Sequence, residues 1–75
     1  LPAAPSTIAK VEELAHLEYH TASTLESQGE LEDAFRAVER GLALPHVKET
    51  LEGARLYLRG GSLFYKQGNY DQGRN

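Results

Sequence analysis

The chain has 75 residues, a formal net charge of −3 and no cysteine, so it forms one domain or part of one and has no disulfide to support a small core. Its eight Lys and Arg residues are scattered, which argues against nucleic-acid binding by this segment. It has neither an apolar run long enough to cross a membrane nor a signal-peptide pattern, so we expect no membrane partner, while the lack of cysteine leaves the compartment open.

The first predicted element is a long amphipathic helix over residues 7–28. Pro2 and Pro5 disfavour helix before Ser6, which is a good N-cap residue. Gly29 is predicted to end the helix in a left-handed conformation. Apolar residues recur three or four apart, which predicts a buried face made of Ile8, Val11, Ala15, Tyr19 and Ala22, widened by Leu14, Leu17 and Leu25.

A second helix is predicted over residues 30–44. Glu30, Glu32 and Asp33 occupy its first turn, where the helix dipole favours negative charge, and Pro45 stops it. Its predicted buried side consists of Leu31, Ala34, Phe35, Val38 and Leu42.

A third helix is predicted over residues 47–67, followed by the start of a fourth over residues 70–75. Gly53, Gly60 and Gly61 each weaken the third helix by about 1 kcal/mol relative to alanine. We expect these glycines to mark close helix contacts, or a break in the middle of the helix. The predicted buried stripe of this helix consists of Leu51, Ala54, Leu58, Leu63 and Phe64, flanked by Tyr57 and Tyr65.

Two seven-residue stretches of the sequence are nearly alike. Gln28–Ala34 reads Gln-Gly-Glu-Leu-Glu-Asp-Ala, and Gln67–Gly73 reads Gln-Gly-Asn-Tyr-Asp-Gln-Gly. In both, Gln-Gly is followed by a polar residue, a large apolar residue, an acid, a polar residue and a small residue. The copies lie 39 residues apart, and self-similarity at such a period is typical of helical repeats. By analogy with Gly29, Gly68 is predicted to end the third helix.

The residues around these stretches resemble the tetratricopeptide repeat, a helix-turn-helix unit of 34 residues with small and aromatic residues at fixed positions. Tyr57, Gly61 and Phe64 stand at such positions in the second copy, and Gly29 and Ala34 match the turn and second helix in the first. The resemblance implies an all-α fold of antiparallel helix pairs, part of an α-solenoid.

The same resemblance divides the chain into repeat one, about 6–45, and a partial repeat two, about 46–75. The period exceeds the standard one by five residues, and the surplus is expected to lengthen the third helix at its start, over residues 47–51.

A binding surface is also implied, because the first helix of each tetratricopeptide repeat lines the groove of the array. Arg55, Arg59 and Lys66 would share one side of the third helix, and such a cation cluster can hold a carboxylate or an acidic peptide segment. The alternative is a solvated helix face whose cations balance nearby acids. Carried over by position, the groove residues are His16, Tyr19, His20, Ser23, Ser27, Arg55, Leu58, Arg59, Ser62 and Lys66.

Chemistry beyond binding has little support in the sequence. His16 and His20 are four residues apart and can share a metal ion, but Leu17 stands where the zinc-protease motif requires glutamate, so a surface or groove position is preferred. Neither a Ser/His/Asp order nor a phosphate loop nor a nucleotide fingerprint occurs. We therefore expect no enzyme activity, no cofactor and no metal.

The sequence thus predicts a scaffold segment that binds another protein or peptide. The alternative is a ligand-sensing regulatory segment of a larger bacterial signalling or transcription protein. Met is absent and the chain opens Leu-Pro-Ala-Ala-Pro, so we expect a piece of a longer protein. The apolar face around Leu58, Phe64 and Tyr65 would then lack its partner helix, so we expect the isolated fragment to self-associate, for instance by exchanging helices.

Overall fold

The computed structural model describes residues 4–73, with the side chains of residues 4–68. This part of the chain is all-helical: α1 spans Pro5–Ser27, α2 spans Leu31–Leu42, a 3₁₀ turn spans Val47–Glu49 and α3 spans Leu51–Gly73. The predicted all-α class is therefore confirmed for these residues. α1 and α2 begin and end within two residues of their predicted bounds.

The connection between α1 and α2 is a Schellman turn at Gly29, where the sequence predicted a glycine-ended helix. Gly29 has a φ of 79°, the left-handed conformation that glycine adopts without steric cost. Its N–H donates to the carbonyl of Glu26 at 3.0 Å, and the N–H of Glu30 donates to the carbonyl of Leu25 at 2.9 Å. The chain therefore reverses within three residues, and α1 and α2 pack as an antiparallel hairpin.

At its other end α1 begins slightly earlier than predicted. Pro5 occupies the first helical turn, and Ala4 rather than Ser6 is the N-cap residue. Proline suits this position because its fixed φ is already helical and its missing N–H would have had no partner there.

One ion pair joins the middle of α1 to the end of α2. Arg40 Nε lies 3.0 Å from Glu18 Oε2, and Arg40 Nη2 lies 3.4 Å from Glu18 Oε1. The two helices approach closely here, since a Cβ on Gly41 would lie 3.2 Å from Glu18 Cβ and 2.5 Å from Leu56 Cδ1. Glycine at position 41 is thus a packing requirement between all three helices.

The core is built mostly from small residues, which lets the helices lie close together. The predicted buried positions of α1 and α2 are only partly correct: the small ones are buried, whereas Leu14, Leu17 and Leu42 are exposed. The buried hydrophobic residues are Val11, Ala15, Ala22, Ala34, Ala37, Val38, Val47, Leu56 and Leu63.

The surplus residues before α3 cap that helix instead of lengthening it, contrary to the prediction. Thr50 Oγ1 accepts a hydrogen bond from the N–H of Gly53 at 2.9 Å and donates one to the carbonyl of Val47 at 2.7 Å. A threonine that bonds the N–H three residues on is a strong N-cap. Gly53 is required here because a Cβ at this position would collide with the Val47 carbonyl.

α3 is one continuous helix. Of the two roles predicted for its glycines, close helix contact is correct for Gly60, and the break near Gly60 and Gly61 does not occur. The prediction that Gly68 ends the helix is wrong, because none of these glycines takes the left-handed conformation that Gly29 has. Residues 70–73 continue α3 instead of starting a fourth helix, and the last two residues of that predicted helix lie outside the described part of the chain. Glycine weakens a helix but leaves it possible.

The buried stripe of α3 also differs from the prediction. Glu52, Gly53, Leu56, Gly60 and Leu63 are buried, and they recur at helical spacing. The glycines allow close packing: a Cβ on Gly60 would lie 3.1 Å from Val38 Cγ1. Small residues on α1 and α2 leave room for two leucines, not for a row of larger side chains. Of the predicted stripe only Leu63 is buried, and the exposed residues are Leu51, Ala54, Tyr57, Leu58, Phe64 and Tyr65.

Candidate functional site

A shallow groove runs between α1 and α3, and we call it the α1–α3 groove. Because α2 reverses the chain between them, α1 and α3 run parallel, as shown by contacts of His16 with Glu52 and of Tyr19 with Arg59. The groove encloses about 190 Å³. Five of the ten predicted groove residues line it: Tyr19, Arg55, Leu58, Arg59 and Ser62.

Glu26 anchors one end of this groove. Its side chain is only 10% exposed, and Arg59 Nη1 donates to its Oε1 at 2.7 Å while Lys66 Nζ bonds its Oε2. Arg59 Nη2 also donates to the Tyr19 hydroxyl at 2.9 Å. The hydrogen bond from Lys66, together with the charge and hydrogen bond of Arg59, lowers the pKa of Glu26 from its ordinary value of 4.5 against the opposing effect of burial.

Glu52 anchors the other end, in the first turn of α3, where the helix dipole favours its charge. Its Oε1 accepts a hydrogen bond from Arg55 Nη1 at 3.0 Å and lies 3.2 Å from His16 Nδ1. Its Oε2 is buried and has no hydrogen-bond partner among the described residues. A single oxygen of the Glu52 carboxylate, Oε1, therefore contacts two side chains, one from α3 and one from α1.

The remaining predicted groove residues are placed around or away from the groove. Lys66 joins it through Glu26, and His16 reaches it through Glu52. His20 lines a different depression with Leu17, Thr21, Thr24 and Leu25. Ser23 and Ser27 do not line the groove, and the Ser27 hydroxyl donates to the Ser23 carbonyl at 3.1 Å.

The positive charge of the groove is largely balanced within the chain. Arg55 pairs with Glu52, and both Arg59 and Lys66 pair with Glu26, so three cations face two carboxylates. The sequence prediction grouped the cations but missed both acids. Two spacings could have revealed them: Glu52 precedes Arg55 by one helical turn, and Glu26 follows Tyr19 by two turns on the same face of α1.

The two histidines do not gather further ligands. The rings of His16 and His20 meet edge to face with centroids 4.4 Å apart. Within the described residues, no group of three or more His, Cys, Asp or Glu side chains is placed to hold a metal ion. Nor does any helix described here combine the length and the apolar character that a membrane crossing requires.

A second surface lies on the side of α3 that faces away from the core, and we call it the outer face; Leu58 borders both this face and the α1–α3 groove. Tyr57 borders two depressions between α2 and α3, of about 620 and 310 Å³, and Phe64 borders the smaller one; we call these the α2–α3 cleft. The sequence prediction assigned these rings to the core or its border. The exposed apolar residues of the outer face are Leu51, Ala54, Tyr57, Leu58, Phe64 and Tyr65.

No protein-family model, no curated protein and no solved structure matches this chain. The tetratricopeptide resemblance therefore rests on the residues quoted above. What the chain does must be argued from its two surfaces, the α1–α3 groove and the outer face.

Proposed function

We propose that the chain is a tetratricopeptide-like helical segment that binds another protein or peptide in its α1–α3 groove. Two parallel helices joined by an intervening antiparallel one are the arrangement that such a repeat array requires. Here α1 and α3 would be the first helices of successive repeats, and α2 would be the second helix of repeat one.

One observation carries the proposal. Tyr19, from one helix, and Arg55, Leu58, Arg59 and Ser62, from another, line a single depression. These five residues combine an aromatic ring, an aliphatic side chain, two guanidinium groups and a hydroxyl. Such a lining offers a partner both apolar contact and hydrogen bonds, as protein interfaces do.

The charge balance indicates which partner fits. Arg59 is held by Glu26 and Tyr19, so its donors are largely committed within the chain. Arg55 has a single bond to Glu52, and its side chain remains 58% exposed. A peptide with a carboxylate for Arg55 and an apolar side chain beside it for Leu58 suits this groove best.

The test is a selection of random displayed peptides against the 75-residue chain. Binders should be enriched in Asp or Glu next to an apolar residue, and Arg55→Glu should weaken their affinity at least about tenfold, well beyond an exposed ion pair. The loss should shrink at high salt, since screening already weakens the wild-type contact.

Arg36→Glu is the matched control for this variant. Arg36 lies on α2, is 66% exposed and makes the same kind of bond, 3.1 Å to Asp33 three residues earlier. Binders that lose affinity equally with both variants would respond to overall charge alone. Binders indifferent to Arg55→Glu would contradict the groove proposal.

A second candidate, the ligand-sensing segment, is favoured by the α2–α3 cleft. Its larger depression, about 620 Å³, falls within the range of small-molecule sites and is lined mainly by apolar side chains with Lys48 at its edge. Straight-chain carboxylates would test it, with amide chemical shifts as the readout. Shifts confined to Val47, Gly53 and Tyr57 would support a ligand site, and unchanged spectra would exclude this class of ligand.

A further inference from the structure

The outer face of α3 exposes large apolar side chains to an unusual degree. Tyr57, Leu58, Phe64 and Tyr65 are between 69% and 73% exposed, so α1 and α2 cover neither end of the row. Of the charged residues in the same stretch, Arg59 and Lys66 bond Glu26 on α1, and Arg55 bonds Glu52 one turn earlier on α3. The outer face is thus uncharged over four turns of helix.

The residues of this face are arranged symmetrically about Gly61. Three positions away stand Leu58 and Phe64, and four positions away stand Tyr57 and Tyr65. Seven positions away the residues are both small, Ala54 before and Gly68 after. At 3.6 residues per turn, all of these positions share one side of the helix.

Gly61 is the centre of this pattern, and among the described residues no neighbour requires a glycine there. A Cβ built on it would meet nothing within 4 Å, unlike one on Gly41, Gly53 or Gly60. Glycine in a helix interior costs about 1 kcal/mol relative to alanine, and no contact within residues 4–68 offsets that cost here.

The outer face offers a large part of the area that a dimer needs. Aromatic side chains bury about 150–250 Å² each, so Tyr57, Phe64 and Tyr65 at their observed exposure offer on the order of 300–500 Å². Leu58, 72% exposed, extends the patch. The patch is thus as large as the largest apolar patches of typical monomers, which are often functional, and supplies about half or more of the roughly 800 Å² per partner of a specific interface.

From these observations we infer that the outer face binds a second copy of this chain, with the two α3 helices antiparallel and a two-fold axis at Gly61. Such an axis brings each residue opposite the one equally far on the other side of Gly61 in the partner. Tyr57 then meets the partner's Tyr65, Leu58 meets the partner's Phe64, and none of the paired positions between 54 and 68 on this face is charged. Gly61 meets its own copy, where the missing side chain permits close approach.

Disulfide cross-linking tests this arrangement directly, because the chain has no cysteine of its own. A mixture of Tyr57→Cys and Tyr65→Cys chains should form the mixed disulfide under mild oxidation. Either variant alone should not, since two copies of position 57 would lie about 12 Å apart along the axis at 1.5 Å per residue. That separation exceeds the Cα spacing a disulfide allows.

A second pair of cysteine variants leaves all the aromatic side chains of the outer face in place. Ala54→Cys mixed with Gly68→Cys should also cross-link, whereas Ser62→Cys, on the groove side of α3, should not. Cross-linking of position 57 to itself would indicate parallel helices and overturn the proposal. The proposal would also be overturned if sedimentation equilibrium showed a monomer at every concentration from dilute to concentrated solution. The outer face would then be left to a different protein.

Inserting a charge on the outer face tests the proposal through the strength of dimerisation. Tyr65→Glu should weaken dimerisation at least tenfold, because two carboxylates would enter an uncharged interface, while Thr24→Glu, at an exposed position of α1, should leave it unchanged. Circular dichroism on both variants would check that the helices persist. Equal effects of the two substitutions would contradict the proposed face. Leu58 borders both surfaces, so peptide binding is scored on Arg55→Glu and dimerisation on Tyr65→Glu, and either proposal can fail without the other.

Discussion

The inner and outer faces of α3 use their residues in opposite ways. The inner face places Leu56 and Leu63 in the core among two glycines and a buried glutamate. The outer face carries more large apolar side chains, and all of them are exposed. The comparison teaches that apolar content alone does not identify the buried side of a helix. The fit against small residues on α1 and α2 decides it here.

The largest expected difference in stability between the two faces comes from shortening one leucine on each. Leu56→Ala, at a site with no exposure, should lower the free energy of unfolding by about 2–5 kcal/mol. Leu58→Ala, at a site 72% exposed, should change it by no more than about 0.5 kcal/mol in the dilute monomer. Urea titration followed by circular dichroism measures both, and equal losses would show that the two faces have been misassigned.

Two glycines of α3 should respond to alanine in opposite ways. Gly53→Ala should destabilise the fold by about 1–3 kcal/mol, because the new Cβ would collide with the Val47 carbonyl and force the cap of α3 to shift. Gly61→Ala should instead stabilise the dilute monomer by up to about 1 kcal/mol, since nothing surrounds that position. Thermal unfolding of the two variants should move in opposite directions, and a common direction would contradict the packing described here.

Glu26 extends the comparison to the groove side of α3. Glu26→Gln should cost about 1–3 kcal/mol at neutral pH, because Arg59 and Lys66 lose their charged acceptor. The pKa of Glu26 is lowered in the folded state, so its stabilisation is present above the unfolded value of 4.5 and is lost as the pH falls through the folded value.

Stability curves of wild type and Glu26→Gln against pH should therefore converge in acid. Glu13→Gln, on an exposed position of the same helix, is the matched control and should run parallel to wild type throughout. A constant gap between wild type and Glu26→Gln at every pH would rule out the charge as the source of the effect.

Arg55 should give the smallest effect on stability. Its bond to Glu52 is exposed on the arginine side, and exposed ion pairs contribute about 0–1 kcal/mol. Arg55→Gln should therefore leave the unfolding midpoint nearly unchanged, so that peptide binding can be compared on an intact fold. A large loss would mean that Arg55, like Arg59, is needed for the packing of α3.

Much of the fold could be predicted because it depends on local signals. Two helices and the turn between them were predicted from Gly29, from the acids at the start of α2 and from the apolar spacing of α1. α3 was harder, because whether Gly60, Gly61 or Gly68 bends the chain depends on neighbours that no local pattern contains. Its buried side depended on alanines elsewhere in the chain, and its start on a threonine cap within a segment predicted as helix.

The candidate site shows the same division. The tetratricopeptide resemblance grouped ten residues, of which five line the α1–α3 groove, and their role in binding stays a prediction. It could not supply Glu26, which reaches Lys66 across 40 residues of sequence. Charge reversal of Arg59 and Lys66 would therefore disturb the packing of α3 on α1.

The short turn at Gly29 also bears on the order in which the chain assembles. A three-residue connection closes with little loss of chain entropy, so α1 and α2 can meet soon after each begins to form. Contacts between α1 and α3 join residues about 40 apart, which favours their forming later. We therefore expect the α1–α2 hairpin to form first and α3 to dock on it, with the outer face the last surface to form.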